Sequence, residues 1–385
     1  MNTSRYLIVG GGMTGDAAAQ GIRAHDPDGA ITLVGEEQHA PYKRPPLTKG
    51  LWKGDEEEKI WKGTADRGVD LVLGRRIVGL DLDARRATDD QGGEYAYEKL
   101  LLATGGKPRS LEHGDASVVY FRTLDDYRTL RAAVDGGAGV VVIGGGFIGS
   151  EIAAALATNG ASVTMVFPEP GVGWRLLPAH LAEFVTGYYR EQGVAMLGEE
   201  TVVSVEGGRV TLGSGRVLEA DAVVAGLGIE PNTELASAAG LPVDNGIVVD
   251  EYGRVDGRDD VFAAGDVASF PMPALGRRFR VEHEDHANSH GKAVGANMAG
   301  ANEPYNHIPF FYSDLFDLGY EAVGEVDSRL ATVERWDEPN RKGVVAYVDD
   351  AQRPRGFLLW NTWDKVDAAS DLIRAAAPIG ESELV

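Results

Sequence analysis

The chain has 385 residues, 43% of them hydrophobic and 25% charged, with a formal net charge of −22 and no cysteine. These are globular proportions and a length for two or three domains, so wholesale disorder is excluded. The missing cysteine removes disulfides, thiolate metal sites, iron–sulfur ligation and thiol nucleophiles, and the negative charge repels nucleic-acid backbones. In chain order, residues 6–9 (Tyr-Leu-Ile-Val) are apolar on both faces and predict a buried parallel strand. This run lacks the build of a signal peptide, and no apolar stretch is long enough to span a membrane, so the expected location is the cytoplasm.

The strand leads into Gly10-Gly11-Gly12-Met13-Thr14-Gly15, a G-x-G-x-x-G sequence. An Ala-rich helix is expected over 16–24 and a second strand over 31–34, followed by Glu36 and Glu37. Residues 100–102 predict a further strand, ending in Ala103-Thr104-Gly105-Gly106. The glycine pattern then returns. A strand at 140–143 runs into Gly144-Gly145-Gly146-Phe147-Ile148-Gly149, a helix is expected over 150–159, a strand over 161–166, and Phe167-Pro168-Glu169 follows. A hairpin is expected around 202–212, a strand at 261–263 ending in Gly265-Asp266, two strands at 344–348 and 356–360, and a helix over 365–376.

One G-x-G-x-x-G is weak evidence. Two copies, each between strand and helix and each with an acid about 20 residues further on, form two dinucleotide fingerprints. The first glycine makes the tight turn, the second admits a pyrophosphate to the backbone, and the third lets helix and strand close up. The helix N-terminus offers unpaired N–H groups to the phosphates, and the acid accepts a hydrogen bond from the ribose. Two such units predict two dinucleotides, commonly FAD with NAD(P)H.

With both fingerprints, the Ala-Thr-Gly-Gly turn and the Gly-Asp turn in this order, the chain resembles the two-dinucleotide flavoproteins, the FAD/NAD(P)-dependent pyridine nucleotide oxidoreductases. It is most similar to the ferredoxin-reductase-like members and to apoptosis-inducing factor. The segments that carry the likeness are Pro41-Tyr42-Lys43-Arg44-Pro45-Pro46-Leu47-Thr48-Lys49, residues 103–109, Phe167-Pro168-Glu169 with Leu177-Pro178, residues 281–287, and residues 311–314 with 319–324. By this reading no mitochondrial targeting segment and only a short C-terminal domain are expected, and Tyr312 stands where the family usually has Trp beside the flavin.

The resemblance implies an α/β protein with two Rossmann-like three-layer dinucleotide-binding domains and a small α+β C-terminal domain. The FAD domain is expected from 1–112 and 241–303, the NAD domain from 113–240 and the C-terminal domain from 304–385. FAD contacts are expected from Gly10, Gly12, Met13, Thr14, Gly15, Glu36 or Glu37, Arg44, Lys49, Ile77, Ala103, Thr104, Gly105, Arg122, Gly265, Asp266, Glu282, His283 and Tyr312. NADH is expected at Gly144, Gly146, Phe147, Ile148, Gly149, Glu169 and Gly228. Lys49, paired with Glu151, and His283 are the expected catalytic residues, with Lys49 stabilising charge on the reduced flavin. His283 and His286 are spaced like metal ligands, but nothing further converges on them, and no metal is expected.

The implied activity is hydride transfer from NADH to FAD, then electron transfer to a ferredoxin, a rubredoxin or a quinone. The alternative is an NADH-responsive flavoprotein like apoptosis-inducing factor, with a long-lived charge-transfer complex and redox-controlled assembly. A homodimer is left open. Arg277, Arg278 and Arg280 read more as a local turn than as a dock for an acidic ferredoxin.

Overall fold

The computed structural model describes residues 2–134 and 137–385 and is a mixed α/β structure. The chain divides into two compact units. The first comprises residues 1–43, 57–107 and 230–309, and the second residues 44–56, 108–229 and 310–385.

The first unit is built on a sheet whose parallel strands run Val69–Leu73, Ile31–Gly35, Asn2–Val9, Glu94–Leu102 and Val261–Ala263. Glu94–Leu102 pairs with Asn2–Val9 and with two further strands. Its C-terminal end, Leu100 to Leu102, pairs with Val261 to Ala263, and its N-terminal end pairs antiparallel with Arg86–Asp89. The buried strand positions are mostly Val, Ile and Leu, with Tyr6, Tyr97 and Phe262 among them, as a sheet covered on both faces requires.

The helices Met13–His25 and Glu284–Met298 pack against each other through glycines. A methyl group on Gly21 would lie 2.0 Å from the Lys292 carbonyl oxygen, and one on Gly295 would lie 2.1 Å from that of Ala18. Backbone therefore meets backbone, and the start of the first helix is fixed by the second. The sequence places that first helix at 16–24. It begins three residues earlier, inside the glycine fingerprint, because Gly12 acts as its N-cap.

The second unit holds a parallel five-stranded sheet in the order Ala195–Leu197, Ser162–Val166, Gly139–Ile143, Ala222–Ala225, Val118–Tyr120. A three-stranded antiparallel sheet, Val202–Glu206, Arg209–Leu212 and Val217–Glu219, contains the expected hairpin. The C-terminal part is a five-stranded antiparallel sheet ordered Phe310–Leu315, Leu318–Gly324, Pro354–Trp360, Lys342–Val348, Ala331–Glu338, with the helix Val366–Ala375 packed on it. Sequence patterning gives only two of these strands. The first hairpin turns at Phe316-Asp317, with Phe316 at φ +62°. That turn has no Gly or Asn to announce it.

Candidate functional site

In the first unit the fingerprint forms a cradle that only glycine permits. Gly10 has φ +130°, and a Cβ there would lie 2.0 Å from the Ala103 carbonyl oxygen. A Cβ on Gly15 would lie 2.2 Å from the Gly10 carbonyl oxygen, whereas Gly12 faces open space. Gly12 supplies no side-chain cap, so the first-turn N–H groups of the helix at Met13 and Thr14 are left for an anion. Glu36 is exposed immediately after the strand Ile31–Gly35, while Glu37 accepts a hydrogen bond from Tyr42 Oη at 2.6 Å.

Two further turns close on this cradle. Thr104 Oγ1 donates to the Asn232 carbonyl, Asn232 Nδ2 donates to the Thr104 carbonyl, both at 2.8 Å, and Gly105 has φ +61°. Gly265 has φ +74°, and a Cβ there would strike Thr14 Oγ1 at 2.1 Å. Its N–H donates to His290 Nδ1 at 3.3 Å. Asp266 follows on the same turn, and its carbonyl accepts from Arg280 Nη1 at 3.3 Å. Ile77, buried, starts the strand Ile77–Asp81.

Beneath the Gly-Asp turn lies a buried aromatic group. His286 stacks on Phe270 with centroids 4.6 Å apart, its Nδ1 lies 3.2 Å from Tyr305 Oη, and Tyr305 Oη meets Ser289 Oγ at 2.8 Å. Burial pulls the imidazolium of His290 down to about 3 and that of His286 well below its ordinary value. His283 is the N-cap of the helix Glu284–Met298. Burial pulls it down to about 4 against the opposing fields of Asp266 and Asp285. Glu282 pairs with Arg280 at 2.6 Å. Arg278 bonds the carbonyls of Val249 and Ser269, and Arg277 stacks on Phe279 at 4.2 Å. The arginine run is thus mostly spent on local structure.

Sequence reasoning missed the buried carboxylate of Asp16. It is fully enclosed and takes Thr64 Oγ1 at 2.6 Å, Arg67 Nη1 at 2.7 Å, Gln20 Nε2 at 2.7 Å and Lys62 Nζ at 3.5 Å. An acid in the middle of an otherwise small and apolar helix face was the available signal.

In the second unit the second fingerprint repeats the first. Gly144 has φ +109°, and its Cβ would lie 2.4 Å from the Gly226 carbonyl oxygen. That of Gly149 would lie 2.0 Å from the Gly144 carbonyl oxygen, and Gly146, the uncapped N-cap of Phe147–Thr158, faces open space. Phe147 and Ile148 are exposed at the mouth of this cradle, although both are large and apolar. Gly228 has φ +81°, and its carbonyl accepts from the Arg109 N–H at 3.0 Å. Glu169 is gripped by Arg175, whose Nε and Nη2 lie 3.0 and 2.8 Å from Oε1.

The same unit contains Lys49 and Glu151. Lys49 sits between two short 3₁₀ turns, Pro45–Thr48 and Gly50–Lys53, and Glu151 lies one turn into the helix Phe147–Thr158. Lys49 Nζ is 2.6 Å from Glu151 Oε2, with the two side chains 13% and 6% exposed. Thr48 Oγ1 donates to the same oxygen at 2.6 Å, and the buried Ser313 Oγ donates to Oε1 at 2.7 Å. Burial, together with the Glu151 charge, holds the Tyr189 and Tyr320 hydroxyls above their ordinary range. Tyr312, 39% exposed, has its ring centroid 5.2 Å from Lys49 Nζ. Arg44 Nη1 donates to the Arg122 carbonyl at 2.7 Å, which ties together two loops expected near the flavin. Thr48 and Ser313 were not singled out from sequence, since hydroxyls so far apart along the chain give no local sign of a shared partner.

A buried ion pair contributes little to stability once its desolvation is counted, so its presence directs attention to function. A family profile described as pyridine nucleotide-disulphide oxidoreductase matches residues 4–291. The chain belongs to that family. Lacking cysteine, this oxidoreductase has no disulphide of its own to offer. A second profile, the C-terminal region of mitochondrion-associated apoptosis-inducing factor, matches residues 294–341. The oxidoreductase is 37% identical over 392 residues to the ferredoxin–NAD(+) reductase component of the anthranilate 1,2-dioxygenase system of Burkholderia cepacia, covering 98% of this chain and 96% of that protein. It is 34% identical over 416 residues to the mitochondrial apoptosis-inducing factor 1 of Dictyostelium discoideum, covering 96% of this chain and 78% of the relative. A solved complex of putidaredoxin reductase with putidaredoxin matches with a TM-score of 0.92 at 29% identity, covering 99% and 95% of the two chains. The two glycine cradles, each with a Cβ-forbidding turn and an uncapped helix start, fit the FAD and NAD(P)H used in this family.

Proposed function

We propose that the oxidoreductase is an NADH-dependent flavoprotein reductase that delivers electrons to a ferredoxin- or rubredoxin-type protein or to a quinone. The observation that carries this reading is the buried Lys49–Glu151 pair, built into the helix that opens from the second fingerprint. We assign the cradle at Gly10, Gly12 and Gly15, with Thr14, Glu36, Ala103, Gly105, Gly265 and Asp266, to FAD. The cradle at Gly144, Gly146 and Gly149, with Glu169 and Gly228, is assigned to NADH.

Bound FAD supplies an acceptor for hydride and a donor of single electrons. The protein's part is electrostatic and steric. Phe147 and Ile148 offer apolar surface to a nicotinamide ring. Lys49 carries the positive charge that stabilises negative charge developing on hydride arrival. Glu151 holds that ammonium in place, and Thr48 and Ser313 hold Glu151. His283, neutral at physiological pH, presents an uncharged imidazole at the start of its helix.

Likeness to apoptosis-inducing factor over nearly the whole chain supports a second reading, a sensor whose reduced form persists and changes assembly. An anaerobic titration of the yellow protein with NADH separates the two. Prompt bleaching and rapid return on adding a ferredoxin or quinone is the reductase outcome. A long-wavelength band that survives air, with a change in mass by light scattering, is the sensor outcome. No bleaching would refute both. Among the described residues no helix is long and apolar enough to cross a membrane. A cytoplasmic location belongs to the reductase reading and is checked by cell fractionation.

A further inference from the structure

Glu321 lies in the middle of the strand Leu318–Gly324, in the second unit. Its Oε2 is shut off from water and meets no hydrogen-bond partner among the described residues. A carboxylate oxygen in that state is costly, and a protonated carboxyl bears it more easily. Burial, with the nearby charge of Asp364, accordingly raises the proton affinity of Glu321 above that of an ordinary carboxylate.

Register puts this acid beside Tyr312. The two residues pair directly, so their side chains stand on the same side of the hairpin. Tyr312 is exposed, and its ring reaches Lys49. The next pair on that side is Asp314 with Gly319. The exposed indole of Trp363 takes the space that Gly319 leaves, since a Cβ there would lie 2.8 Å from the indole Cη2. Asn361 pins the loop that carries Trp363. Its Oδ1 accepts from the Gly319 N–H and its own N–H donates to the Gly319 carbonyl, both at 2.8 Å. The acids Asp314, Glu321 and Asp364 gather here, and Lys53 Nζ lies 3.5 Å from Asp314. In a chain of net charge −22 such a face does not attract an acidic carrier protein. Two aromatic side chains and an acid that holds its proton suit a flat, uncharged ring that takes up protons with its electrons.

We propose that this face receives a quinone and that Glu321 is the acid that protonates it. The proposal rests on the reductase reading and selects among its acceptors. Tyr312 and Trp363 offer aromatic surface to the ring. Hydride from the reduced cofactor brings two electrons and one proton to one quinone oxygen. The Glu321 O–H bond breaks to give the second proton to the other oxygen, so both carbonyls leave as hydroxyls. Glu321 becomes a carboxylate and is reprotonated from solvent. A one-electron iron–sulfur carrier takes no proton, and for it Glu321 is idle.

The test uses the FAD-loaded full chain, reduced with NADH without air. It is mixed with menadione, a naphthoquinone, or with ferricyanide, which takes single electrons and no proton. Glu321→Gln is expected to slow reoxidation by menadione by about tenfold or more, since a positioned general acid contributes about 10²–10⁴-fold. Reoxidation by ferricyanide should slow by less than about threefold. Glu321→Asp keeps an acid and should recover part of the menadione rate. Equilibrium dialysis of menadione against the oxidised protein reads the surface without turnover. Trp363→Ala should weaken that binding by about threefold or more, the size of one ring contact. An unslowed menadione reaction in Glu321→Gln, equal slowing with both acceptors, or unchanged binding in Trp363→Ala overturns the proposal. Wild type that is bleached by NADH and reoxidised by ferricyanide but not by menadione overturns it while the reductase reading stands. If NADH does not bleach wild type, that reading fails and the quinone site with it.

Discussion

Ser313→Ala tests whether the Glu151 carboxylate is held as a charge by its hydroxyl donors. Ser313 is fully buried, and its Oγ donates to Glu151 Oε1 at 2.7 Å, while Lys49 and Thr48 both serve Oε2. Removing the hydroxyl therefore leaves Oε1 without that donor in a site that water does not replace. A hydrogen bond to a charged group contributes about 1.5–3 kcal/mol, against about 0.5–1.5 for a neutral one. Ser313→Ala should thus destabilise this unit by ~2 kcal/mol in the native background and by ~1 kcal/mol once Glu151→Gln has removed the charge. The assay is urea unfolding of the four members of the cycle, read by tryptophan fluorescence. Of the six tryptophans only Trp61 lies in the first unit, so a Trp61→Phe background makes the signal specific for the second. Urea is preferred to a guanidinium salt because it leaves charge interactions unscreened. A coupling energy below about 0.5 kcal/mol would refute the argument, since that is the level of additivity for independent sites.

Lys49→Ala should slow single-turnover flavin reduction by NADH by ~10- to 100-fold, the size of a lost charge stabilisation of about 1.4–3 kcal/mol, with FAD still bound; stopped-flow absorbance of the flavin measures it and an unchanged rate removes Lys49 from the mechanism. Gly265→Ala drives a Cβ to 2.1 Å from Thr14 Oγ1 at a φ of +74°, so the variant should purify colourless, and full flavin content would sink the cradle. Gly149→Ala meets the Gly144 carbonyl at 2.0 Å and should weaken NADH binding by more than about tenfold while the flavin stays, as dinucleotide affinity and absorbance report separately. The neutral imidazoles of His283 and His290, at about 4 and about 3, lie below their unfolded value near 6.5, so the unfolded chain binds more protons between those limits. Stability is complete above about pH 6.5 and falls toward pH 4, with a slope of up to ~1.4 kcal/mol per pH unit per group; the melting temperature should drop between pH 7 and 5, and a flat profile there would contradict the burial argument.

What the sequence made legible is what glycine chemistry makes local. Both fingerprints could be read because a turn that forbids Cβ, a following helix and an acid about 20 residues on all lie within one short βαβ unit. The Gly-Asp turn at 265–266 was legible for the same reason, yet its contact with Thr14 was not, because Thr14 lies far back in the chain and only folding brings the two together. The Lys49–Glu151 pair was reached only through family resemblance, because nothing local in the sequence relates two residues so far apart that lie 2.6 Å from each other in the fold. The hydroxyls of Thr48 and Ser313 and the network on Asp16 escaped because a hydrogen bond across the fold leaves no periodicity. The hairpin at Phe316-Asp317 escaped because its left-handed residue is a phenylalanine, a choice that turn statistics disfavour and that tertiary packing supports, with the Phe316 ring 5.0 Å from that of Tyr189.

That same packing explains why the C-terminal sheet belongs with the charged pair rather than being an appendage. Tyr189 Oη donates to the Ser150 carbonyl at 2.9 Å, on the helix that carries Glu151. Phe316 packs on Tyr189, and the strand that leads into Phe316 delivers Ser313 to Glu151 and Tyr312 to Lys49. A shift of the strand Phe310–Leu315 by one residue would turn Ser313 away and put Tyr312 or Asp314 in its place, since side chains alternate along a strand. The register of that hairpin therefore sets the environment of the buried Lys49–Glu151 pair.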